Sequence, residues 1–493
     1  MAAVHKIVMS QQVLLTLILI ITTLQLAAID ELDTRAGRKT DADVDSIKAA
    51  IVPNEIKTSP ITISASGSYR LTEDLAGALT INANDVFLDL NGHRISTTSG
   101  NIITINSSKS DIVIKNGLLE GNGASGTTKG ILINSSCARI KLADVRIAQC
   151  GIAGIDIDSS TDITVENCEI IQCSTNTSSS EHILDLNSAD RILIKNCRLN
   201  NNGNSSRAVT GIALTACTQC VSDTIEISGN QGSSFKGISL TTSGSESSIS
   251  EGNKFFRCLI DKNSSSSTTL IGVELITAAS GDSVRANLFE QCQLIDNSAT
   301  TTLSGFKISP TTGSANKIIG NIFSQCVVVR NTGTGIKGIE LTGTIGTSET
   351  NNNTFLDCIV SRNNASSGAA TGISIEGAND STILRCIITY NTASTTAIGI
   401  DFASGSGGNN WEIKDCEISR NEGSNAANSY GIRRQAGANN LFVKNIAFLN
   451  GPSGASTSGN QLSGVASTSV TTPSSIDNIN AADLPWTNLA LVS

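Results

Sequence analysis

Histidine, tryptophan and tyrosine are scarce in these 493 residues, at three, two and three copies, and proline occurs only six times. So few large polar rings weigh against a sugar-binding platform, which usually exposes Trp or Tyr. Basic residues are also short, 34 against 43 acidic ones for a formal charge of -9. That balance excludes the basic footprint that nucleic acid requires. Long apolar runs are missing except for one at the N-terminus, which excludes a polytopic membrane protein. What the chain has instead is 43 Gly and 13 Cys, an odd and large number of thiols.

The single apolar run lies in residues 1–28. His5 and Lys6 precede it, Val13 to Leu26 form it, and Ala27-Ala28 offer a small-residue cleavage site. It reads as an export signal, being short for a spanning anchor. Residues 29–60 are polar, with Val44, Ile47 and Ile51 at helical spacing behind Asp43. This predicts a short N-terminal helix near 44–51, with a solvated linker as the alternative.

From residue 61 to 450 the chain repeats. Asn253 to Asn263, around Cys258, matches segments around Cys292, Cys326 and Cys358, with looser copies around Cys168, Cys197, Cys386 and Cys416. Ile225 and Ile446 fill the same slot, and Val145, Gly117 and Gly92 continue it backwards. A second motif, Gly followed by apolar, any, apolar, precedes each anchor, as in Gly154-Ile-Asp-Ile and Gly272-Val-Glu-Leu. Each unit of roughly 30 residues carries strands too short to bury a face alone, so units must stack. The expected fold is all-β: a single-stranded right-handed parallel β-helix of about 13 coils with a short N-terminal helical cap, about 60 Å long at about 4.8 Å per coil. Residues 451–493 form a Gly/Ser/Thr-rich tail whose apolar end, around Leu484-Pro-Trp486 and Leu489-Ala-Leu-Val, is expected to dock back and cover the last coil.

Stacking turns repeated positions into columns. Phe255, Phe289, Phe323 and Phe355 share one slot and predict an internal aromatic stack. Asn recurs five residues after the anchor, at Asn122, Asn202, Asn230, Asn263, Asn297, Asn331, Asn363, Asn391 and Asn421. This predicts a structural Asn ladder, the Asn also taking the left-handed bend of a corner. Eight Cys in one slot read as a column of small buried residues. Cys150 and Cys173 share the corner slot and are the disulfide candidate, since a bend relaxes the geometry. Cys217 and Cys220 lack a second pair or a nearby His, so no metal and no cofactor is expected.

Outward strand positions are where chemistry belongs. Counting back from Cys168 and Cys197 puts Asp185 on Asp156, two carboxylates about 5 Å apart. Asp158 and Asn187 lie one step along, and His182 is on the same coil. Like charges that close raise one proton affinity, the arrangement a retaining glycosidase uses. Asp156, Asp185 and Asp158 are therefore the catalytic candidates, with a solvated acidic patch as the plain alternative; His182, Asn187 and Trp411, the last read as an exposed ring, are the binding candidates. Glu274, Lys307 and Glu340 form an alternating charge column read as a surface ion ladder.

The stretch Gly67-Ser-Tyr-Arg-Leu-Thr-Glu-Asp-Leu, followed by Leu79 to Ile95, resembles the first coil of exported bacterial right-handed β-helix proteins of the pectate-lyase-like superfamily. The Gly-Ile and Asn-Cys coils extend that resemblance over about residues 61–450. It implies the fold, and a family of polysaccharide lyases, glycosidases and exported proteins without assigned activity. The enzyme signatures do not carry over: there is no adjacent Asp-Asp doublet, His93 follows Gly92 where the family has His-Gly, and no Arg-x-Pro-x-x-Arg run occurs.

Three functions follow. One is a secreted, periplasmic or cell-surface scaffold with a structural, adhesive or recognition role. The second is a polysaccharide lyase or glycoside hydrolase using the stacked carboxylates. The third is a carbohydrate-binding module without turnover. The partner is a polysaccharide or a surface component, not nucleic acid, and no stable membrane domain is expected after signal cleavage.

Overall fold

The computed structural model describes residues 53–450, apart from 60, 124–127, 177–180, 246, 312–314, 344–347, 404–407, 426–428, 436–438 and 449, together with 462–463 and 489–491. The expected export signal and the helix near 44–51 lie outside the described residues. The chain divides into two compact units, Met1–Asn54 and Glu55–Ser493, and the second holds the repeat. No described helix is long and apolar enough to cross a membrane.

The described residues of the second unit are all-β, built from short strands that pair in parallel with their counterparts one repeat later. One coil shows the plan. Ile249–Glu251, Lys254–Phe256, Leu259–Asp261, Ser264–Ser265 and Leu270–Ile276 follow one another. Each pairs with the next coil: Phe255 faces Phe289, Ile260 faces Leu294, and Glu274 faces Lys307. Repetition produces sheets of 28, 15, 8 and 4 strands in a solenoid-like stack. The four-strand sheet belongs to the coils with the longest links, where Ile249–Glu251, Ser283–Arg285, Asn316–Ile319 and Ser348–Asn351 add a strand. At the far end, Leu462 pairs with Ile432, and Leu489–Leu491 pairs with Ile446–Phe448.

Alternation fills the interior with Ile, Leu, Val and Phe. The rings of Phe255, Phe289, Phe323 and Phe355 stack at centroid distances of 4.7, 5.0 and 4.9 Å, tilted by no more than 9°. The glycine that opens the second motif is required by crowding. A Cβ on Gly272 would lie 1.6 Å from Leu294 Cδ2 and 2.6 Å from the Gly305 carbonyl oxygen.

Corners recur every five residues. Gly252, Arg257 and Lys262 all have φ near +50 to +70°, and so do Ala286, Gln291 and Asp296 one coil on. A non-glycine residue pays roughly 1 kcal/mol or more for this conformation. Its own amide donates to the next coil, as Arg257 N does to the Glu290 carbonyl at 2.9 Å. The residue after each bend points inward, giving three buried columns. Two are Asn ladders: Asn253, Asn287, Asn321 and Asn353, and the series from Asn202 to Asn450. The third is the Cys column.

These columns correct the sequence reading in four places. The bend is taken by the residue before each ladder Asn, not by the Asn itself. Asn122 is exposed and bonds the Thr98 carbonyl, so it stands outside the ladder. Asn445, not Ile446, lies across Cys416, because Glu417 pairs with Ile446. His93, not Gly92, lies across Gly117, because Arg94 pairs with Leu118. Both errors came from expecting a small or apolar residue in a slot that also accepts a polar one.

Cys and Asn exchange because both carry a donor at corner length. Asn263 Nδ2 donates to the Ile227 carbonyl one coil back at 2.8 Å, and Cys292 Sγ to the Phe255 carbonyl at 3.5 Å. Cys173 holds an Asn-ladder slot and receives the Asn202 Oδ1 on its amide, while Cys220 stands in the Asn253 column. All 13 Cys are buried free thiols, Cys150 and Cys173 included.

Candidate functional site

The 15-stranded sheet presents the candidate residues. Its strand Ile155–Asp158 pairs with Glu181–Asn187 so that Asp156 faces Asp185 and Asp158 faces Asn187. Ile155, Ile157, Leu184 and Leu186 point inward and are fully buried, which turns the intervening carboxylates to the outer side. The outer side is still confined there: Asp156 is only 6% exposed.

Asp156 is held by an ion pair with Lys129, from the preceding coil. Asn187 Nδ2 donates to Asp158 Oδ1 at 3.5 Å. His182 lies with Nδ1 4.0 Å from Asp185 Oδ1, and that nitrogen is buried without a hydrogen bond among the described residues. Burial raises the Asp185 carboxyl above the usual carboxylate range; His182 opposes this, while Asp156 and Asp158 add to it. Asp158 is raised for the same first reason, with the Asp156 charge second. The cluster thus combines a carboxylate tied to an ammonium with two carboxyls that hold their protons to higher pH. Such asymmetry suits general acid and base work.

Lys129 was missed in the sequence because it comes from a different coil and reaches Asp156 diagonally. Its signal is its place directly before Gly130 of the recurring motif, a position that carries His182, Lys236 and Lys337 in other coils. The same diagonal reaches one member of the Glu274–Lys307–Glu340 column. Its register is as read, but Glu274 pairs with Lys236 of the preceding coil at 2.5 Å, and Glu340 with Lys337 on its own strand at 2.6 Å.

Trp411 is not a surface ring. It is 1% exposed, donates from Nε1 to the Ala378 carbonyl at 2.8 Å, and packs edge-on against Phe402. The polar edge of the indole finds a buried partner, so the whole side chain can enter the core. Among the described residues no group of three or more His, Cys, Asp and Glu is placed to hold a metal.

Comparison with known proteins gives no matching family model and no matching curated sequence. Among solved structures, the chain is similar to the A-module of the Azotobacter vinelandii mannuronan C-5 epimerase AlgE4, at 12% identity and a TM-score of 0.37, covering 86% of this chain and 90% of that one. It is also similar to the DFA-IIIase of Arthrobacter chlorophenolicus A6 in complex with GF2, at 10% identity and a TM-score of 0.32, covering 64% and 89%. A third is the Dettilon tailspike protein, at 12% identity and a TM-score of 0.28, covering 58% and 59%. At these values the likeness assigns neither family nor activity.

Proposed function

We propose that the protein is an exported or cell-surface scaffold with a structural, adhesive or recognition role. In this reading residues 61–450 form a right-handed parallel β-helix of the pectate-lyase-like kind, capped by the N-terminal helix and released by cleavage of 1–28. The observation that carries it is where the polar side chains are spent. Inside, Asn bonds Asn from coil to coil; outside, Arg139, Arg191, Arg330 and Arg385 each grip an Asp of the preceding coil. Polarity invested in coil-to-coil contacts serves a rigid, durable frame.

A second reading is supported by the Asp156–Asp185 register. Two carboxyls in unlike surroundings, with Asp158, Lys129 and His182 beside them, form an acid–base set for a polysaccharide lyase or glycosidase. One screen separates the two. Wild type, Asp156→Ala and Asp185→Ala are offered neutral and acidic polysaccharides, and product is followed by reducing ends and by ultraviolet absorbance. The scaffold reading expects no turnover by any of them. Turnover by wild type that either substitution removes would overturn it in favour of the enzyme.

A further inference from the structure

Four corner arginines in this protein are neutralised by one device. Arg139 bonds Asp111 through Nε and Nη2 at 2.7 Å each. Arg191 bonds Asp162 at 2.8 and 3.0 Å, Arg330 bonds Asp296 at 2.8 and 2.9 Å, and Arg385 bonds Asp357 at 2.7 and 2.8 Å. In each case the Asp sits in the same slot one coil earlier, so the fork meets the carboxylate squarely.

One stretch breaks the device. Val329, Ser361, Thr389 and Ser419 are in register, so the residues that follow, Arg330, Arg362, Tyr390 and Arg420, occupy one corner column at positive φ. Tyr390 stands one coil before Arg420, in the slot where a paired corner places its Asp, and Arg330 stands one coil before Arg362. The Arg362 guanidinium lies 5.9 Å from its ring centroid and that of Arg420 5.1 Å, and Arg420 bonds the phenol oxygen. All three side chains are exposed. Neither Arg362 nor Arg420 has a carboxylate within ion-pair distance among the described residues, in a chain whose net charge is -9. The tyrosine orders the two forks through its faces and hydroxyl, yet cancels no charge.

We propose that Arg362, Tyr390 and Arg420 form an anion-recognition stripe on this corner, and that its partner is an extended acidic glycan presenting sulfate or carboxylate groups. The inference rests on the surface-recognition reading and gives it a partner. The two guanidiniums are two coils apart, about 10 Å, the kind of interval at which a linear glycan with one acid group per two sugars presents its charges. A stripe one side chain wide suits such a chain. It is too narrow for the basic surface a nucleic acid demands and too small for the cluster of four to eight basic residues that anionic membranes select.

Binding of dextran sulfate, polygalacturonate and neutral dextran to immobilised full-length protein tests this. Wild type is expected to bind at least one of the charged glycans and not neutral dextran, and the two charged arms tell sulfate from carboxylate. Raising salt from about 50 to about 500 mM should weaken binding strongly. The Arg362→Ala/Arg420→Ala double variant should lose about tenfold or more. Tyr390→Asp is the decisive variant: it places a carboxylate between Arg362 and Arg420, as in the paired corners, and should abolish binding while leaving the melting temperature unchanged or higher. Arg385→Ala, an arginine from a neutralised corner, should bind like wild type. No binding by wild type, equal binding by Tyr390→Asp, or an equal loss in Arg385→Ala would overturn the stripe. Tighter binding of duplex DNA or polyglutamate than of either charged glycan would overturn the glycan assignment. Failure of any of these leaves the polysaccharide-turnover screen unaffected, so the stripe and the scaffold are judged apart.

Discussion

Cys326 Sγ lies 3.4 Å from the carbonyl oxygen of Phe289, one coil back. The same bond joins Cys292 to Phe255, Cys358 to Phe323 and Cys386 to Phe355. The thiol column and the aromatic stack are therefore one structure, with the S–H acting as a short corner donor. The odd number of Cys follows from slot usage and not from pairing.

Cys326→Ala should cost about 1–2 kcal/mol in urea unfolding, through the lost sulfur volume and donor. Cys416→Asn should be nearly neutral. Its neighbour Asn445 already accepts the Cys416 amide at 3.0 Å, and a second Asn there would extend a ladder. A Cys416→Asn protein as unstable as Cys326→Ala would show that the slot selects sulfur for another reason.

The Asn297 side chain makes four buried bonds. Its Oδ1 accepts from the Asn263 amide and Nδ2, each at 3.0 Å, and its Nδ2 donates to the Ile260 carbonyl at 2.9 Å and to Asn331 Oδ1 at 3.0 Å. Asn297→Ala orphans several buried groups and should cost at least about 3 kcal/mol. Asn297→Asp keeps the acceptor but loses both donors, and should be nearly as damaging at neutral pH. A loss below about 1 kcal/mol for Asn297→Ala would contradict a ladder that carries stability.

The raised carboxyls of Asp158 and Asp185 predict a pH signature. Each binds its proton more tightly in the folded chain than in the unfolded one. The stability they contribute is therefore complete below the unfolded value, about pH 4, and is lost as pH rises through the raised value. The corner Asp residues act oppositely: Asp111 is lowered to about 2 by Arg139 and Ser110, and Asp162 and Asp296 are lowered by their arginines. Their contribution is lost on acidification, and solvent screening keeps it small. Asp185→Asn and Asp158→Asn should compare with wild type more favourably near pH 7 than near pH 4 in calorimetry. A difference that is flat, or reversed, across that range would remove the raised carboxyls from the account.

Trp411 supplies an optical check. In a Trp486→Phe background its emission should be blue-shifted and resistant to iodide. Trp411→Phe should destabilise by about 1–2 kcal/mol, because the Ala378 carbonyl loses its buried donor. Red-shifted, quenchable emission would return Trp411 to the surface.

Much of this was legible without coordinates. Period and slot identity placed Asp185 over Asp156, stacked four Phe and aligned most of the Asn ladder, because in-register stacking converts sequence spacing directly into proximity. Gly92 and Ile446 were misplaced by one residue because slot chemistry, not slot shape, was taken as the guide. Trp411 was misjudged because its burial depends on a carbonyl 33 residues away.

By itself, the sequence determined the repeat, the parallel stacking and the columns, since each is a property of spacing along one chain. The tertiary structure decided whatever runs diagonally or depends on backbone handedness. That includes the choice of Lys129 for Asp156, the capture of Glu274 by Lys236 of the preceding coil, and the left-handed bend one residue before each ladder Asn. It also decided that Tyr390 lies between Arg362 and Arg420, touching both. Those relations join side chains through their length and direction, quantities that acquire values only once the coils lie on one another.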